Sequence, residues 1–373
     1  MRLLTLTKST GGLASYVRRL TPLLGEDGHE QLVVCLSDDA EQFARSIRSE
    51  TVAAEVVGMN RYRVDVLGDL RTYRQLSEIV ADFEPDAIIG HGSKAGLLAR
   101  ALGRRAGVPS VYALHSLSFV PRTQGRSAYV YRLLERLGAR LGGQIVTVCE
   151  ATRREVIEAG IAPPDRVTAI LTGLTDDEID AEHRVRRTSN SPAHRLHVGW
   201  AARLEPQKDP VTYVRAVALA VQSGSAASFQ LLGDGSLLPV TLETITELGI
   251  GDRLSVDGWA SDPHRVFADL DVVVSTSRWE GLPIALLEAM RCGAVPIATD
   301  VDGVAEAIRD GETGRLVDRG DSDAIASAIL ELERDPDQLL RLSRQAQDTV
   351  ERDFRATEMA QAWNELLILL VTE

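Results

Sequence analysis

The chain has 373 residues, of which 44% are hydrophobic and 25% are charged, and its formal net charge is -13. This composition is that of a globular protein with apolar material for two domains, and it excludes disordered and fibrous classes. The acidic balance also argues against a general nucleic-acid binder, because such proteins neutralise many phosphates with basic residues.

The first half of the chain alternates short β-rich runs with stretches of helical periodicity. The runs predicted as strands are Leu3–Leu6, Gln31–Leu36, Thr51–Val57, Asp86–Gly90, Ser110–Leu114, Gln144–Val148 and Val167–Leu171. The stretches predicted as helices are Leu13–Leu24, Val64–Phe83, Lys94–Ala106, Ser127–Leu141 and Thr152–Ala159. Near-continuous apolar strands separated by helices indicate a parallel sheet with both faces covered.

A polar segment, 176–193, interrupts this alternation and is predicted as a linker. A second series of strands is predicted at Leu196–Ala201, Phe229–Leu232, Leu254–Val256, Val272–Ser275, Val295–Ala298 and Arg315–Val317. We therefore expect two doubly wound, Rossmann-like α/β domains, over 1–175 and 194–355, that face each other across a cleft. The final helical segment, 356–373, is expected to return to the first domain. In such domains the ligand lies beyond the carboxyl ends of the strands.

Glycine and histidine follow strands of the predicted first domain. Gly11 and Gly12 come between the first strand and its helix, where they would let the backbone approach an anion; an ordinary strand-to-helix turn is the alternative. His91 and His115 end two later strands. A histidine there can hydrogen-bond a sugar, carry a proton or serve the structure alone.

Residues 100–140 hold eight arginines and a single acidic residue. Such a cluster favours an anionic ligand or membrane surface, and we expect Lys94, Arg122 and Arg126 to bind the anionic ligand. Within it, a predicted helix carries an apolar stripe beside arginines spaced four residues apart. The stripe consists of Val130, Leu133, Leu134, Leu137 and Leu141. This pattern is typical either of an ordinary surface helix or of an amphipathic helix that faces anionic lipid.

The first strand-to-helix turn of the second domain carries two cations. Arg203 stands at the strand end, and Lys208 follows five residues later, just before the predicted helix. A planar guanidinium and a mobile ammonium at the mouth of a sheet suit a diphosphate. Two solvated surface residues are the alternative.

Two carboxylates seven residues apart flank a later helix start. Glu280 precedes Gly281 and Pro283, which can begin a helix, and Glu288 lies two turns along. A carboxylate can accept hydrogen bonds from vicinal hydroxyls of a ribose or sugar. The amides of Leu282–Ile284 could meet phosphate oxygens between the two acids. The alternative is a capping acid followed by a solvated one.

Metal and disulfide chemistry are not indicated. The cysteines, at positions 35, 149 and 292, show no C-x-x-C spacing. Four D-x-D strings fall at strand starts and helix ends, where aspartate is an ordinary cap residue, so we expect no metal and no cofactor. Apolar runs such as Leu366–Val371 fall far short of the ~18–20 residues of a transmembrane helix. We therefore expect a cytoplasmic protein, peripheral on the membrane at most.

These residues resemble those of retaining glycosyltransferases of the GT-B fold, family 4, over about residues 2–365. The resemblance rests on the segments Gly11-Gly12, His91–Gly96, Tyr112–Ser116, Arg203–Lys208, Leu232–Gly235 and Glu280–Asp300. It implies that the second domain binds a nucleotide-sugar and the first an acceptor. This sequence differs from the usual family pattern in one segment, which is shortened to Glu280-Gly281-Leu282-Pro283.

The resemblance implies a role for individual positions. Arg203 and Lys208 match the pair on the donor diphosphate, Glu280 the acid near the hexose, and Glu288 the acid on the ribose. The backbone of Gly281, Leu282, Pro283 and Ile284 matches the segment on phosphate and sugar hydroxyls. Gly11 and Gly12 match the turn at the distal phosphate, His115 the histidine near the hexose, and Trp259 the loop at the base.

We therefore predict metal-independent transfer of a hexosyl group from a nucleotide-diphosphate sugar, with UDP favoured, to an acceptor hydroxyl, with retention of configuration. Arg203, Lys208, Glu280 and His115 are the predicted catalytic residues. Polysaccharide or glycolipid assembly is the expected context, with a lipid-linked or anionic acceptor and no nucleic acid. A sugar-nucleotide epimerase and a non-catalytic nucleotide-sugar-binding protein are the alternatives.

Overall fold

A computed structural model describes residues 1–9, 11–37, 40–59, 66–115, 117, 119–120, 125–180, 195–258 and 263–372, with the backbone alone at 66, 126, 180, 263 and 264. The chain divides into two compact units. Met1–Thr175 and Ala356–Glu373 form the first, and Asp176–Arg355 forms the second. Among the described residues, no helix combines the length and the apolar composition needed to span a membrane.

The first unit is a parallel sheet covered by helices. Its strands are β1 (Arg2–Thr7), β2 (Glu30–Leu36), β3 (Val52–Val57), β4 (Ala87–His91), β5 (Ser110–Leu114), β6 (Gln144–Thr147) and β7 (Val167–Ala169). Its helices before residue 175 are α1 (Gly11–Glu26), α2 (Glu41–Ile47), α3 (Val66–Phe83), α4 (Ser93–Ala106), α5 (Ala128–Ala139) and α6 (Glu150–Glu158). The strand order is β3-β2-β1-β4-β5-β6-β7.

The order of this sheet reverses between β1 and β4. Strands β2 and β3 follow on one side of this pair, and β5, β6 and β7 follow on the other. In doubly wound sheets, ligands bind at such a reversal point, beyond the carboxyl ends of the strands. Every residue of β4 is buried, as expected of a strand covered on both faces. Helix α4 packs closely here: a Cβ at Gly96 would stand 2.1 Å from the Tyr112 ring, so glycine is required.

The second unit repeats this plan with six strands. Its strands are β8 (His197–Ala201), β9 (Ser228–Leu232), β10 (Leu254–Asp257), β11 (Val272–Ser275), β12 (Val295–Thr299) and β13 (Arg315–Val317). Its helices are α7 (Asp176–Asp180), α8 (Pro210–Gln222), α9 (Leu238–Glu247), α10 (Pro263–Ala268), α11 (Ile284–Arg291), α12 (Val304–Ala307), α13 (Ser322–Arg334) and α14 (Pro336–Asp353). The order β10-β9-β8-β11-β12-β13 reverses between β8 and β11.

The last helix, α15 (Ala356–Thr372), packs on α1 in the first unit. Trp363 is fully buried there, and its Nε1 donates to the Tyr16 hydroxyl at 2.6 Å. His29 and Asn364 form a second polar contact at 2.8 Å. The first unit is therefore built from two separate stretches of the chain.

The predicted fold class is confirmed: both sheets are parallel, and each predicted strand is present. Helix α2 was not predicted, because seven residues are too few to show helical periodicity clearly. Within the predicted linker, 176–193, the structure places a short helix, α7, over Asp176–Asp180. Three acidic residues in the first turn of α7 stabilise it by interacting with the positive end of its helix dipole. Residues 181–193 lie outside the described part of the chain.

Candidate functional site

The turn that follows β8 is held against the loop that follows β9. The amide of Ala202 donates to Leu232 O at 3.1 Å, and that of Leu204 to Asp234 O at 2.9 Å. A Cβ at Gly233 would stand 1.9 Å from Ala202 O, so no other residue fits this approach. The backbone that carries Arg203 is therefore fixed, while its side chain is exposed.

Glu205 stabilises the same turn through hydrogen bonds of its side chain and its backbone. Its carboxylate accepts hydrogen bonds from the amide of Ser236 at 3.2 Å and from its hydroxyl at 2.7 Å, and these bonds lower the pKa of Glu205. The carbonyl of Glu205 accepts from the Lys208 amide at 2.8 Å. The turn therefore presents Lys208 at its far end with a set backbone direction.

Lys208 and Glu280 form a largely buried ion pair. Nζ of Lys208 donates to Oε1 of Glu280, a residue only 9% exposed. The hydroxyl of Ser277 donates to the same oxygen at 2.7 Å. Charge pairs at this depth persist only when hydrogen bonds satisfy the remaining capacity. The ammonium has three N–H groups, so it can bind a second acceptor beside Glu280.

The backbone at Glu280 is also held. Its amide donates to Oδ2 of Asp302 at 2.7 Å, from the loop after β12. Asp302 has φ +46°, in the left-handed region that aspartate tolerates better than most residues. Gly281 and Leu282 are buried behind it, and Pro283 precedes the first turn of α11. The first-turn amides of a helix lack intrahelical acceptors and favour anions.

Trp200 connects the Lys208 turn to the Glu280 turn through the hydroxyl of Thr276. Its Nε1 donates to the Thr276 hydroxyl at 2.9 Å, and that hydroxyl lies 2.8 Å from Lys208 O and 2.9 Å from Asp209 O. Asp209 also accepts from Nε of Arg278 at 3.0 Å. These contacts set the distance between the Lys208 turn and the Glu280 turn.

A pocket that is partly open to solvent lies beyond the ends of β8 and β11. Its polar lining includes Lys208, Ser277 and Glu280, and its apolar lining includes Trp200 and Phe267. A cation, a carboxylate and a helix start at one mouth can bind phosphate and hydroxyl groups together. Within the described ranges, no group of three His, Cys, Asp or Glu could hold a metal ion.

In the first unit, His91 and His115 form a pair at the ends of β4 and β5. Nδ1 of His91 lies 3.0 Å from Nε2 of His115. Burial, and secondarily His115, holds the pKa of His91 well below its usual range, and burial lowers the pKa of His115 to about 4. Both rings are therefore neutral at pH 7, so His115 can donate or accept a hydrogen bond with a ligand but carries no charge.

Two aromatic side chains enclose the histidine pair. The Tyr16 ring meets His115 edge to face, with centroids 4.8 Å apart, and the Trp363 ring lies 6.2 Å from His91. His91 is 1% exposed, whereas His115 is half-buried. His115 is therefore the more accessible imidazole of the pair.

The remaining predicted positions of this unit are separate. Gly11 has φ +73° and begins α1 with Gly12, where a Cβ would meet nothing within 4 Å. Ser9, in the preceding turn, keeps its hydroxyl buried without a hydrogen-bond partner in the described residues. Lys94 pairs with Asp69 of α3 at 3.2 Å, which leaves its predicted acceptor role a hypothesis.

Of the predicted residues of the second unit, the structure brings Lys208 and Glu280 into contact, whereas the roles of Arg203 and Glu288 stay predictions. Arg203 lies five residues from Lys208 in the same turn, and Glu288 is half-buried in α11. Arg122, Trp259 and the side chain of Arg126 lie outside the described residues.

Ser277 and Asp302 are site residues that the sequence reasoning missed. Ser277 had a weak signal, since it stands three residues before Glu280 after the same strand. Asp302 had none, because it reaches Glu280 from a different loop and was interpreted as part of a D-x-D string.

Two family models match the chain, one for each sheet. The model described as glycosyl transferases group 1 matches residues 182–349, and that described as a glycosyl transferase 4-like domain matches residues 11–173.

Proteins that are similar over about three quarters of the chain carry glycosyltransferase names. The UDP-Gal:alpha-D-GlcNAc-diphosphoundecaprenol alpha-1,3-galactosyltransferase of Escherichia coli is 24% identical over 73% of this chain and 72% of its own. A D-inositol 3-phosphate glycosyltransferase of Thermobispora bispora is 28% identical over 75% and 71%. The crystal structure of Anabaena HepE in complex with UDP and glucose shares the fold, with a TM-score of 0.82, 23% identity and coverage of 99% and 100%.

Proposed function

The chain belongs to the glycosyl transferases group 1 family and is a glycosyltransferase, and from that premise we propose retaining transfer of a hexosyl group from a UDP-sugar. The observation that carries this proposal is the Lys208–Glu280 pair at the mouth of the second-unit pocket. It joins a phosphate-binding cation to a hydroxyl-binding carboxylate, as a sugar diphosphate requires.

Each group has a part in the proposed reaction. The bond between the anomeric carbon and the phosphate oxygen breaks, and the acceptor oxygen bonds to that carbon on the same face. The acceptor proton passes to the departing phosphate oxygen. Arg203, the free N–H groups of the Lys208 ammonium and the first-turn amides of α11 stabilise the charge on that phosphate. Glu280 and Glu288 hold sugar and ribose hydroxyls.

Two lines support the choice of substrates. The names of similar proteins include a UDP-sugar donor with a diphosphoundecaprenol-linked acceptor and an inositol phosphate acceptor. The arginine-rich stretch 100–140 supplies the positive charge that an anionic or lipid-linked acceptor would need. We therefore place the activity in polysaccharide or glycolipid assembly.

The proposal includes independence of metal ions, because Arg203 and Lys208 supply the positive charge that a divalent ion would otherwise bring. Full turnover in excess chelator is the expected result. Loss of turnover that Mg²⁺ restores would contradict this part alone.

Donor choice is tested first by thermal shift with UDP, GDP and their sugars. A ligand at 100 times its Kd stabilises the native state by about 2.7 kcal/mol, so the correct nucleotide is expected to stand out. A larger shift with GDP than with UDP would overturn the UDP assignment.

The roles of the cations are tested with Arg203→Ala and Lys208→Ala in a transfer assay. Each is expected to lower turnover by ~10²–10³-fold. Arg203 is exposed, so its variant keeps the wild-type Tm; Arg215→Ala, an exposed arginine on α8, is the matched control. Near-normal turnover in both variants would refute the proposed site, and inverted anomeric configuration of the product, read by NMR, would refute retention.

A further inference from the structure

Helix α5 turns its apolar stripe to solvent. Five side chains on one side of it are between 45% and 66% exposed: Tyr129, Val130, Leu133, Leu134 and Leu137. The residues that face the core are the small Ala128, Gly138 and Ala139. The hydrophobic face of a surface helix ordinarily packs inward, so the arrangement of α5 is the reverse of the usual one.

Contacts of Glu135 and Arg136 with other elements fix α5 in this orientation. Glu135 accepts a hydrogen bond from the Tyr112 hydroxyl at 3.1 Å, and its other oxygen lies 4.0 Å from Nη1 of the buried Arg100. Nε and Nη2 of Arg136 donate to Ala159 O at 3.1 and 2.6 Å. Turning the stripe inward would break these bonds and bury charge. The outward stripe is therefore a stable feature of the fold.

The apolar surface extends beyond α5. Leu97 on α4 is 48% exposed and approaches the position of a Gly138 Cβ at 3.3 Å. Isolated exposed leucines are normal on proteins, whereas a contiguous group of six large apolar side chains marks an interaction site.

The stretch of chain that carries the stripe is poor in acidic residues. Glu135 is the only acidic residue between Asp86 and Glu150, and it points to the core. Arg136 and Arg140 follow Leu133 and Leu137 by three residues each, so they lie along one edge of the stripe, and both are exposed. This local charge contrasts with the net -13 of the whole chain.

We propose that the α5 stripe, defined as Tyr129, Val130, Leu133, Leu134, Leu137 and Leu97, docks the protein on an anionic lipid bilayer. Leucine and valine enter the acyl boundary, Tyr129 lies at the headgroup level, and Arg140 meets lipid phosphates. The excess of arginine over acidic residues in the stretch 100–140 favours anionic lipid, because it supplies positive charge beside the stripe. The inference adds a membrane partner to the proposed function.

The test is flotation of the full chain with vesicles at low salt. We expect binding to equal parts phosphatidylglycerol and phosphatidylcholine and none to phosphatidylcholine alone. The double variant Leu133→Gln/Leu137→Gln is expected to weaken binding by at least about tenfold, because each leucine loses its transfer into lipid. Arg140→Gln is expected to weaken it by about fivefold.

The control is Val240→Gln/Leu242→Gln, which changes two exposed apolar residues on α9 in the second unit. It should bind vesicles like wild type. Since all four apolar positions are exposed, each variant is expected to keep its Tm.

Absence of flotation by wild type, or equal flotation by the stripe variant, would overturn the inference. So would a concentration-dependent dimer that Leu133→Gln/Leu137→Gln abolishes in sedimentation velocity, which would assign the stripe to a second copy of the chain. UDP thermal shifts on the same variants separate this outcome from the proposed function, since the stripe lies outside the unit that holds the donor pocket.

Discussion

At the scale of single residues, the site around Glu280 is stabilised by hydrogen bonds to its carboxylate and its amide, and not by charge alone. Glu280 receives Lys208 and Ser277 on one oxygen, and its amide is bound by Asp302. The sequence indicated Lys208 and Glu280 through their positions after strands, but it contained no sign that they touch. Contact between residues 72 positions apart follows from parallel β8 and β11 lying side by side, which only the sheet order establishes.

Gly12 offers a test in which stability and function separate. A Cβ there would meet nothing within 4 Å, so Gly12→Ala should keep the wild-type Tm. If the backbone at Gly12 approaches a donor phosphate, as the resemblance implies, the added methyl group should lower kcat/KM by at least about tenfold. Gly251→Ala, equally unobstructed, is the control. Normal kcat/KM in Gly12→Ala would remove this position from the site.

The histidine pair predicts a pH dependence of stability. The pKa of His115 is about 4 in the folded protein and close to 6.5 when unfolded, so the unfolded state binds more protons between these values. Stability should be constant above pH 6.5 and fall as the pH drops toward 4, by about 3 kcal/mol from this residue.

Denaturant unfolding of wild type and His115→Gln across pH 7 to 4 checks this dependence. The difference between the two proteins removes the carboxylates that titrate in the same range and reports on the histidine pair, because His115 also lowers the pKa of His91. A difference that does not change with pH would show that His115 keeps an ordinary pKa.

At the scale of elements, the alternation of strands and helices was predictable because buried parallel strands are short, apolar and regularly spaced. The direction in which helix α5 faces was not. Its periodicity suits an inward stripe as well as an outward one, and the deciding contacts of Glu135 and Arg136 come from β5 and α6. Side-chain contacts with other elements therefore determine the orientation of the helix, which its periodicity alone does not determine.

The loop after β12 is expected to control the Glu280 turn. Asp302→Gly keeps the left-handed backbone and removes the acceptor of the Glu280 amide, whereas Asp302→Asn keeps both. Loss of a hydrogen bond to a charged group costs ~1.5–3 kcal/mol, so Asp302→Gly should lower kcat/KM by about tenfold or more. Asp302→Asn should stay near wild type. Equal activity of the two variants would show that the loop does not position Glu280.

At the scale of the whole molecule, the first unit is discontinuous in sequence. Its sheet is complete by residue 169, yet α1 is not covered until α15 has been synthesised. The polar partner of Tyr16 then comes from Trp363, 347 residues away. A phenol buried without that partner would be costly, so the end of the chain completes the core around the histidine pair.

Trp363→Ala should therefore destabilise the first unit selectively. Removal of a fully buried tryptophan costs ~3–5 kcal/mol, which corresponds to a Tm lower by about 10 °C for a unit of this size. Calorimetry can follow this, with UDP used to mark the transition of the second unit through the rise it causes in that Tm. Leu369→Ala, an exposed residue on the same helix, should change neither transition. Because α15 belongs to the first unit, a fall in the UDP-sensitive transition alone would contradict this assignment.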